Sequence, residues 1–358
     1  MEYFYYDDLG QKYYNKFDAL RSKRDVALYF YDKEFLAFDW KTEPRESLSE
    51  LYKLRAQQLR EKYEYLILAY SGGIDSTNML ESFYYNNIHI DEIILVGAFS
   101  QDSYHGSDEN HNGEIYHNCI PTLQMMNLKN TKITYHDYTK LYDTPEKFVS
   151  YNNMDKKYQI IDNWFSPHNR WWETPALINS NANRKKVGLI LGVDKPNFSK
   201  EGFDCYFFFN TLSISSLGNY TFYNQNNDGV TRDFFYWSPE MPKIVCKQMH
   251  TIHNFYLEYV VLKEKISKDA FFEAKNYWKI LEKSIYPSII NPLKFASKKS
   301  NNILSFRDSY LLKNKNSKIY EDYINQVVWA RKTFPKVMMK NGNYQDKNDI
   351  FSRKYFIN

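Results

Sequence analysis

Apolar and polar residues alternate along the chain in short, well-punctuated blocks. Val26-Ala27-Leu28-Tyr29-Phe30-Tyr31 and Glu34-Phe35-Leu36-Ala37-Phe38-Asp39-Trp40 flank the polar pair Asp32-Lys33, a layout that predicts a β-hairpin. From Ser47 to Tyr63 the apolar Leu48, Leu51, Tyr52, Leu59 and Tyr63 recur at three- and four-residue steps with charges between them, which predicts an amphipathic helix. The run Leu66-Ile67-Leu68-Ala69 then breaks into Tyr70-Ser71-Gly72-Gly73 and continues as helix-forming sequence to Tyr85, so it reads as strand, tight loop, helix. A second core strand is expected over 92–99, with a helix over 114–126, a strand over 132–136 and another over 187–191. Strand, helix, strand at this spacing implies parallel, right-handed crossovers, hence an α/β chain with an open parallel sheet and helices on both faces.

Beyond Phe234 the pattern changes to long helical periods, over about 242–266, 270–285 and 320–333. The expected organisation is a hairpin-and-helix lead-in over 1–62, an α/β domain over 63–235 and a mostly helical region over 236–358. At 358 residues and 43% hydrophobic composition, the chain can bury a large core. It contains no apolar run long enough to span a bilayer and opens on Met-Glu-Tyr-Phe-Tyr-Tyr-Asp-Asp, without the layout of a signal peptide, so a cytoplasmic protein with no membrane partner is expected. Cys119, Cys205 and Cys246 are widely separated and form no Cys-x-x-Cys pair, which argues against a disulfide framework or a cysteine zinc site. The abundance of Tyr and Phe, 33 and 25 residues, with many Asn and Lys, is the composition of an AT-rich genome such as a bacteriophage's or a low-GC bacterium's. A homo-oligomer is compatible with all of this.

The chemistry concentrates at residues 71–77. Adjacent glycines let successive N–H groups turn inward and cup an anion at the mouth of the following helix, while the hydroxyls of Ser71, Ser76 and Thr77 add donors suited to phosphate. The bland alternative is a glycine turn with Asp75 stabilising the helix dipole. No Gly-Lys-Ser/Thr follows the glycines, so this is not a Walker A loop.

Ser71-Gly72-Gly73-Ile74-Asp75-Ser76 resembles, at all six positions, the PP-loop signature Ser-Gly-Gly-x-Asp-Ser of the N-type ATP pyrophosphatases. That superfamily contains asparagine synthetase, GMP synthetase, NAD synthetase and several tRNA-modifying enzymes. The resemblance implies an adenine nucleotide alpha-hydrolase-like fold, with ATP and Mg²⁺ as cofactors and cleavage between the α and β phosphates to give an adenylated intermediate and pyrophosphate. By this resemblance Ser71, Gly72, Gly73, Asp75 and Ser76 bind the phosphates, with Asp75 holding Mg²⁺, a hard cation that bridges carboxylate and phosphate oxygens. In open α/β sheets ligands lie beyond the carboxyl ends of the strands, so Ala98, Phe99 and Ser100 become candidates to line an adenine pocket. Val187-Gly188-Leu189-Ile190-Leu191-Gly192-Val193-Asp194-Lys195 should end at the same edge. Asp194 loosely resembles a second metal-binding aspartate of the PP-loop ligases, and Lys195 could neutralise leaving pyrophosphate or be a turn lysine.

Other clusters carry weaker signals. Asp102, His105, Asp108, Glu109, His111, Glu114 and His117 crowd one polar stretch without ligand spacing, and Trp164, Trp171, Trp172 and Arg170 could form either a binding wall or a core corner. His250 and His253 share a helix face and read as core or surface histidines. Over 293–340, eleven basic residues stand against three acidic ones, a balance of +8 on a chain of net +4, which suggests either nucleic-acid contact or a solvated lysine-rich surface. Position 2 is Glu2, where a class II glutaminase would need cysteine. Three readings follow: an amide-forming ligase similar to asparagine synthetase without its glutaminase, acting on a small-molecule acceptor; a PP-loop enzyme modifying RNA or a nucleobase; and a non-catalytic ATP sensor or scaffold.

Overall fold

The structure, a computed structural model, describes residues 3–13, 24–97, 113–137, 186–192, 196–201, 204–209, 230–262, 284–286 and 352–358, with single positions at 19, 22 and within 315–328 and the backbone of 337–340 and 343–346. At its centre is a five-stranded parallel sheet. It is built from β4 (Tyr65–Ala69), β5 (Glu92–Gly97), β6 (Lys132–Asp137), β7 (Val187–Leu191) and β10 (Val230–Phe234), in the order β10-β7-β4-β5-β6. Every residue of β5 and β7 is buried, as is all of β4 after Tyr65, which is why these strands read as unbroken apolar runs: a parallel sheet is covered on its faces by helices.

The order places a reversal between β4 and β7. The chain leaves β4, steps outward through helix α3 (Ile74–Tyr84) to β5 and on to β6, then returns to β7 on the opposite side of β4. Ala69 pairs with Ile94 on one side and Leu191 on the other, and Leu191 pairs with Phe234, so β4, β7 and β10 finish level at one edge while β5 runs on to Gly97. A reversal of this kind opens a crevice beyond the strand ends where such sheets bind ligands.

The lead-in departs from the expected hairpin. Val26–Phe30 is indeed a strand, β3, but its partner is the earlier β1 (Tyr3–Asp7), which also pairs with β2 (Lys12–Tyr13), all antiparallel. The second apolar run opens as helix α1 (Asp32–Leu36), because Tyr31 turns into the left-handed region at φ 53° and Asp32 and Glu34 place acid in the first turn. Asp32 then accepts from the Phe30 amide at 3.2 Å, and Trp40 Nε1 donates to the Phe35 carbonyl at 2.6 Å, closing a compact corner. Helix α2 (Leu48–Lys62) forms as predicted, opened by a capping box in which Glu50 N–H donates to Ser47 Oγ and Ser47 N–H to Glu50 Oε2. The helix expected over 114–126 begins as a π-turn, Ile115–Cys119, before α4 (Ile120–Met126). Pro121 has no N–H to bond the preceding turn, and the wider turn absorbs the mismatch.

The later segments carry strands that periodicity did not predict. Beside β8 (Asn197–Glu201) and β9 (Asp204–Phe208) lies β13 (Tyr355–Phe356), antiparallel to β9, and β11 (Val337–Lys340) pairs with β12 (Asn343–Asp346). Ser352 Oγ accepts from Phe209 N–H and Asn358 Oδ1 from Cys205 N–H, which fixes residues 352–358 beside β9. The rings of Phe30, Phe35, Trp40, Phe207, Phe209 and Tyr355 interlock at 4.6 to 6.2 Å between centroids, in stacked, tilted and edge-on pairs that join lead-in, β9 and β13. Helix α5 (Pro242–Leu262) packs on α2. Among the described residues no helix is long and apolar enough to cross a membrane.

One buried cation ties α2 to the sheet. Arg55 is wholly buried and donates to Asp233 Oδ1 at 2.7 Å, to the Phe234 carbonyl at 2.6 Å and to Gln58 at 2.6 Å. Asp233 also accepts from Lys62 Nζ at 2.9 Å and from the Tyr63 hydroxyl at 3.0 Å, and the Tyr63 ring lies where a Cβ on Gly188 would sit, 2.4 Å away. Arg55→Met takes the buried donors from Asp233 Oδ1 and from two carbonyls, leaving Lys62 and Tyr63 on Oδ2, and should cost about 3 kcal/mol in urea unfolding. Lys62→Met, at a half-exposed ion pair, should cost less than about 1 kcal/mol in the same measurement.

Candidate functional site

At the end of β4 the chain enters the loop at the crevice. Gly72 takes φ +78°, a conformation that L side chains rarely adopt, and Gly73 then caps α3 in extended geometry with no side chain bonded to the first turn. A helix start of this kind leaves first-turn N–H groups directed at an anion site, reinforced by the helix dipole. Three hydroxyl contacts hold the loop's shape. Ser71 Oγ accepts from Gly73 N–H at 3.3 Å and lies 3.0 Å from Ser76 Oγ, which donates to the Gly73 carbonyl at 3.1 Å.

Gly72 has a second reason to be glycine. An added Cβ would lie 2.6 Å from Cys119 Sγ and 3.2 Å from both Asn118 Cβ and the Glu114 carbonyl, so residues 114–119 form a close wall around the loop. Asn118 Nδ2 donates to the Gly72 carbonyl at 3.3 Å from that wall. Burial pushes the Cys119 thiol far up, which makes it a small apolar filler here.

Asp75 is half-buried in the first turn of α3. Its Oδ1 accepts a hydrogen bond from the Tyr286 hydroxyl, and its main-chain carbonyl accepts from the Tyr236 hydroxyl at 2.7 Å. Asn78 Nδ2 donates to the same Tyr236 oxygen at 2.9 Å. Tyr52, in contact with Tyr236, receives a hydrogen bond from Gln248 and donates to the Ile285 carbonyl at 2.7 Å. Burial, with the Asp75 carboxylate adding to it, pushes the Tyr52, Tyr236 and Tyr286 phenols well above their usual range, so all three remain protonated donors.

The expected phosphate-loop residues Ser71, Gly72, Gly73, Asp75 and Ser76 therefore come together. Thr77 is turned inward: it is fully buried, its hydroxyl lies 3.2 Å from the Tyr70 hydroxyl and its amide closes the helix onto Gly73. The end of β7 reaches the same place, because a Cβ on Gly192 would lie 3.1 Å from Ser76 Cα. Asp194 and Lys195, two and three residues beyond, fall outside the described residues, as do Ala98, Phe99 and Ser100 beyond Gly97 and the tryptophan cluster at 164–172. Of the polar stretch over 100–117, Glu114 and His117 are described, and most of the basic 293–340 segment is not. His250 is a core histidine, its Nε2 2.9 Å from the Trp40 carbonyl, while burial and His250 push His253 down. No group of three or more His, Cys, Asp or Glu placed to hold a metal occurs among the described residues. Asn118, Tyr236 and Tyr286 carry no local sequence signal, since each reaches the loop from a distant part of the chain.

No protein-family model matches the chain, and no curated protein matches it.

Gly72→Ala should destabilise the fold by about 3 kcal/mol, combining left-handed strain with the clash on Cys119. Adding Cys119→Ala should restore the steric part and leave about 1 to 2 kcal/mol of backbone strain, read by urea unfolding of the two variants side by side.

Proposed function

We propose that the chain is an ATP pyrophosphatase of the PP-loop kind, with an adenine nucleotide alpha-hydrolase-like fold, that adenylates an acceptor oxygen so that an amine can displace AMP from the activated carbon. The supporting observation is positional: Ser71-Gly72-Gly73-Ile74-Asp75-Ser76 lies at the carboxyl end of β4, where the strand order of a parallel sheet reverses, and opens an uncapped helix of 11 residues. The first-turn amides and the Ser71 hydroxyl would hold the β and γ phosphates. A single carboxylate beside phosphate oxygens fits Mg²⁺, which is commonly bound by one or two carboxylates plus substrate phosphates; Asp75 would supply the first, and Asp194, two residues beyond Gly192 in sequence, would supply the second. When bound, that ion neutralises charge developing on the departing pyrophosphate.

In the proposed reaction an acceptor carboxylate or carbonyl oxygen attacks the α phosphorus. The bond to the bridging oxygen breaks, and pyrophosphate leaves with the electron pair. An amine then attacks the activated carbon and AMP departs. The protein's part is to hold the triphosphate in line and to stabilise the leaving group through the loop amides and Lys195, with no covalent enzyme intermediate. The balance of +8 over 293–340 supports a second reading, in which the acceptor is a base carbonyl of an RNA.

Pyrophosphate–ATP exchange tests both. With Mg²⁺, exchange should depend on one acceptor pool among amino acids, small carboxylates, nucleosides and total tRNA, and should be lost in Asp75→Ala. Dependence on tRNA would favour the second reading, and ATP binding without exchange in any pool would favour a sensor or scaffold.

A further inference from the structure

Asp75 is held by the far end of the chain. Tyr286 lies 211 residues away in sequence, yet its hydroxyl donates to Asp75 Oδ1. Its own position is fixed through the preceding residue, because the Ile285 carbonyl accepts from Tyr52 and Tyr52 is in turn held by Gln248 of α5. Tyr236 holds the Asp75 main chain from another side. Ile285, Tyr286, Tyr236, Tyr52 and Gln248 are buried, so the bonds that anchor Tyr52 to Ile285 and Gln248 are shielded from competing water, while those to Asp75 open onto the loop.

A carboxylate that merely stabilised a helix dipole would need none of this. Solvation and the dipole act on it in any rotamer, and an exposed first-turn acid needs no buried donor. We propose that Tyr286 is a positioning residue for the metal carboxylate: by engaging Oδ1 it fixes the Asp75 side chain in one orientation, the one in which it would meet a divalent cation on the phosphates. The inference rests on the Mg–ATP reading of the loop. Partners of this kind around metal ligands typically govern metal affinity by about 10- to 100-fold. The region after residue 236 is then a working part of the nucleotide site and supplies the donors that set its carboxylate.

The test measures metal binding and requires no knowledge of the acceptor. Mn²⁺ is titrated into full-length protein with ATP and followed by electron paramagnetic resonance, for wild type, Tyr286→Phe, Tyr52→Phe and Tyr63→Phe. ATP binding without metal and the thermal midpoint are recorded for each. Tyr286→Phe should raise the Mn²⁺ concentration for half-saturation by about tenfold while metal-free ATP binding stays at the wild-type level. Tyr52→Phe, which removes the anchor of Ile285 and the acceptor of Gln248 but keeps the bond between Tyr286 and Asp75, should shift it less and in the same direction. Tyr63→Phe, a buried phenol lost at Asp233 away from the loop, should leave it unchanged. An unaltered Mn²⁺ requirement in a folded Tyr286→Phe, with Asp75→Asn still abolishing metal binding, overturns the positioning role and leaves the ATP reading intact. Equal shifts in Tyr286→Phe and Tyr63→Phe would reduce the effect to general destabilisation and also overturn it. Absence of Mn–ATP binding in wild type removes the reading on which the inference stands.

Discussion

A guanidinium with no exposure to water decides how helix α2 sits on the sheet. Arg55 has five N–H donors in a planar fork, and burying them is tolerable only where acceptors surround them. Here the acceptors are the Asp233 carboxylate, two consecutive main-chain carbonyls of residues 234 and 235, Gln58 and the more exposed Glu240. Both carbonyls belong to the point where β10 ends and the chain turns, so the cation fixes the path of that turn as well as neutralising a charge. The next residue is Tyr236, whose hydroxyl reaches the Asp75 carbonyl. Structural support for the loop at 71–76 thus reaches back to helix α2, through Arg55 and the turn that carries Tyr236.

Such a cation is weak evidence for stability, since well-packed apolar groups can replace buried ion pairs at no loss. Its geometric demand is the stronger argument. An apolar α2 could slide along the sheet with little change in buried area, whereas a fork bonded to specific carbonyls admits one register. Tyr63 adds to that restriction at the other end of the helix: its ring fills the space above Gly188, and its hydroxyl shares Asp233 with Arg55 and Lys62. Three glycines then mark where backbones and rings come closest. Gly188 admits the Tyr63 ring, Gly192 the start of α3, and Gly72 the wall at 114–119. The last two lie on either side of the loop, which fits tightly between β7 and the π-turn.

The parts of this arrangement that could be read from sequence are those whose cause is local. Apolar runs marked β4, β5 and β7, the three- and four-residue recurrence of apolar positions from Ser47 to Tyr63 marked α2, and the paired glycines marked the loop and its place at a helix mouth. The failures have local explanations too. The apolar run from Glu34 to Trp40 reads as the second strand of a hairpin, but Phe35 is buried from a helix and Trp40 from the corner after it, and the true partner of β3 precedes it in the chain. The π-turn at Ile115–Cys119, just before Pro121, interrupts a segment whose pattern reads as one continuous helix over 114–126. What could not be read is non-local. Asn118, Tyr236 and Tyr286 are ordinary residues in their own segments and gain significance only when the fold delivers them to residues 72 and 75.

That difference separates two kinds of requirement at the loop. Cupping an anion needs successive N–H groups and a left-handed glycine, which a few adjacent residues can provide, so the requirement is written as a motif. Orienting a carboxylate needs a donor at a fixed point in space, and any segment that reaches the point will serve. A free aspartate at a helix start samples several rotamers, and a cation that binds only one of them must bear the cost of freezing it. Phenols that are buried, protonated and already bonded meet that cost during folding, before any ligand arrives. The three tyrosines around Asp75 come from α2, from the turn after β10 and from residue 286, and together they convert an exposed-looking motif residue into a preset one. In the proposed reaction, preorganisation of this kind would supply electrostatic complementarity, because dipoles and charges already in place need not reorganise as charge moves onto the leaving group.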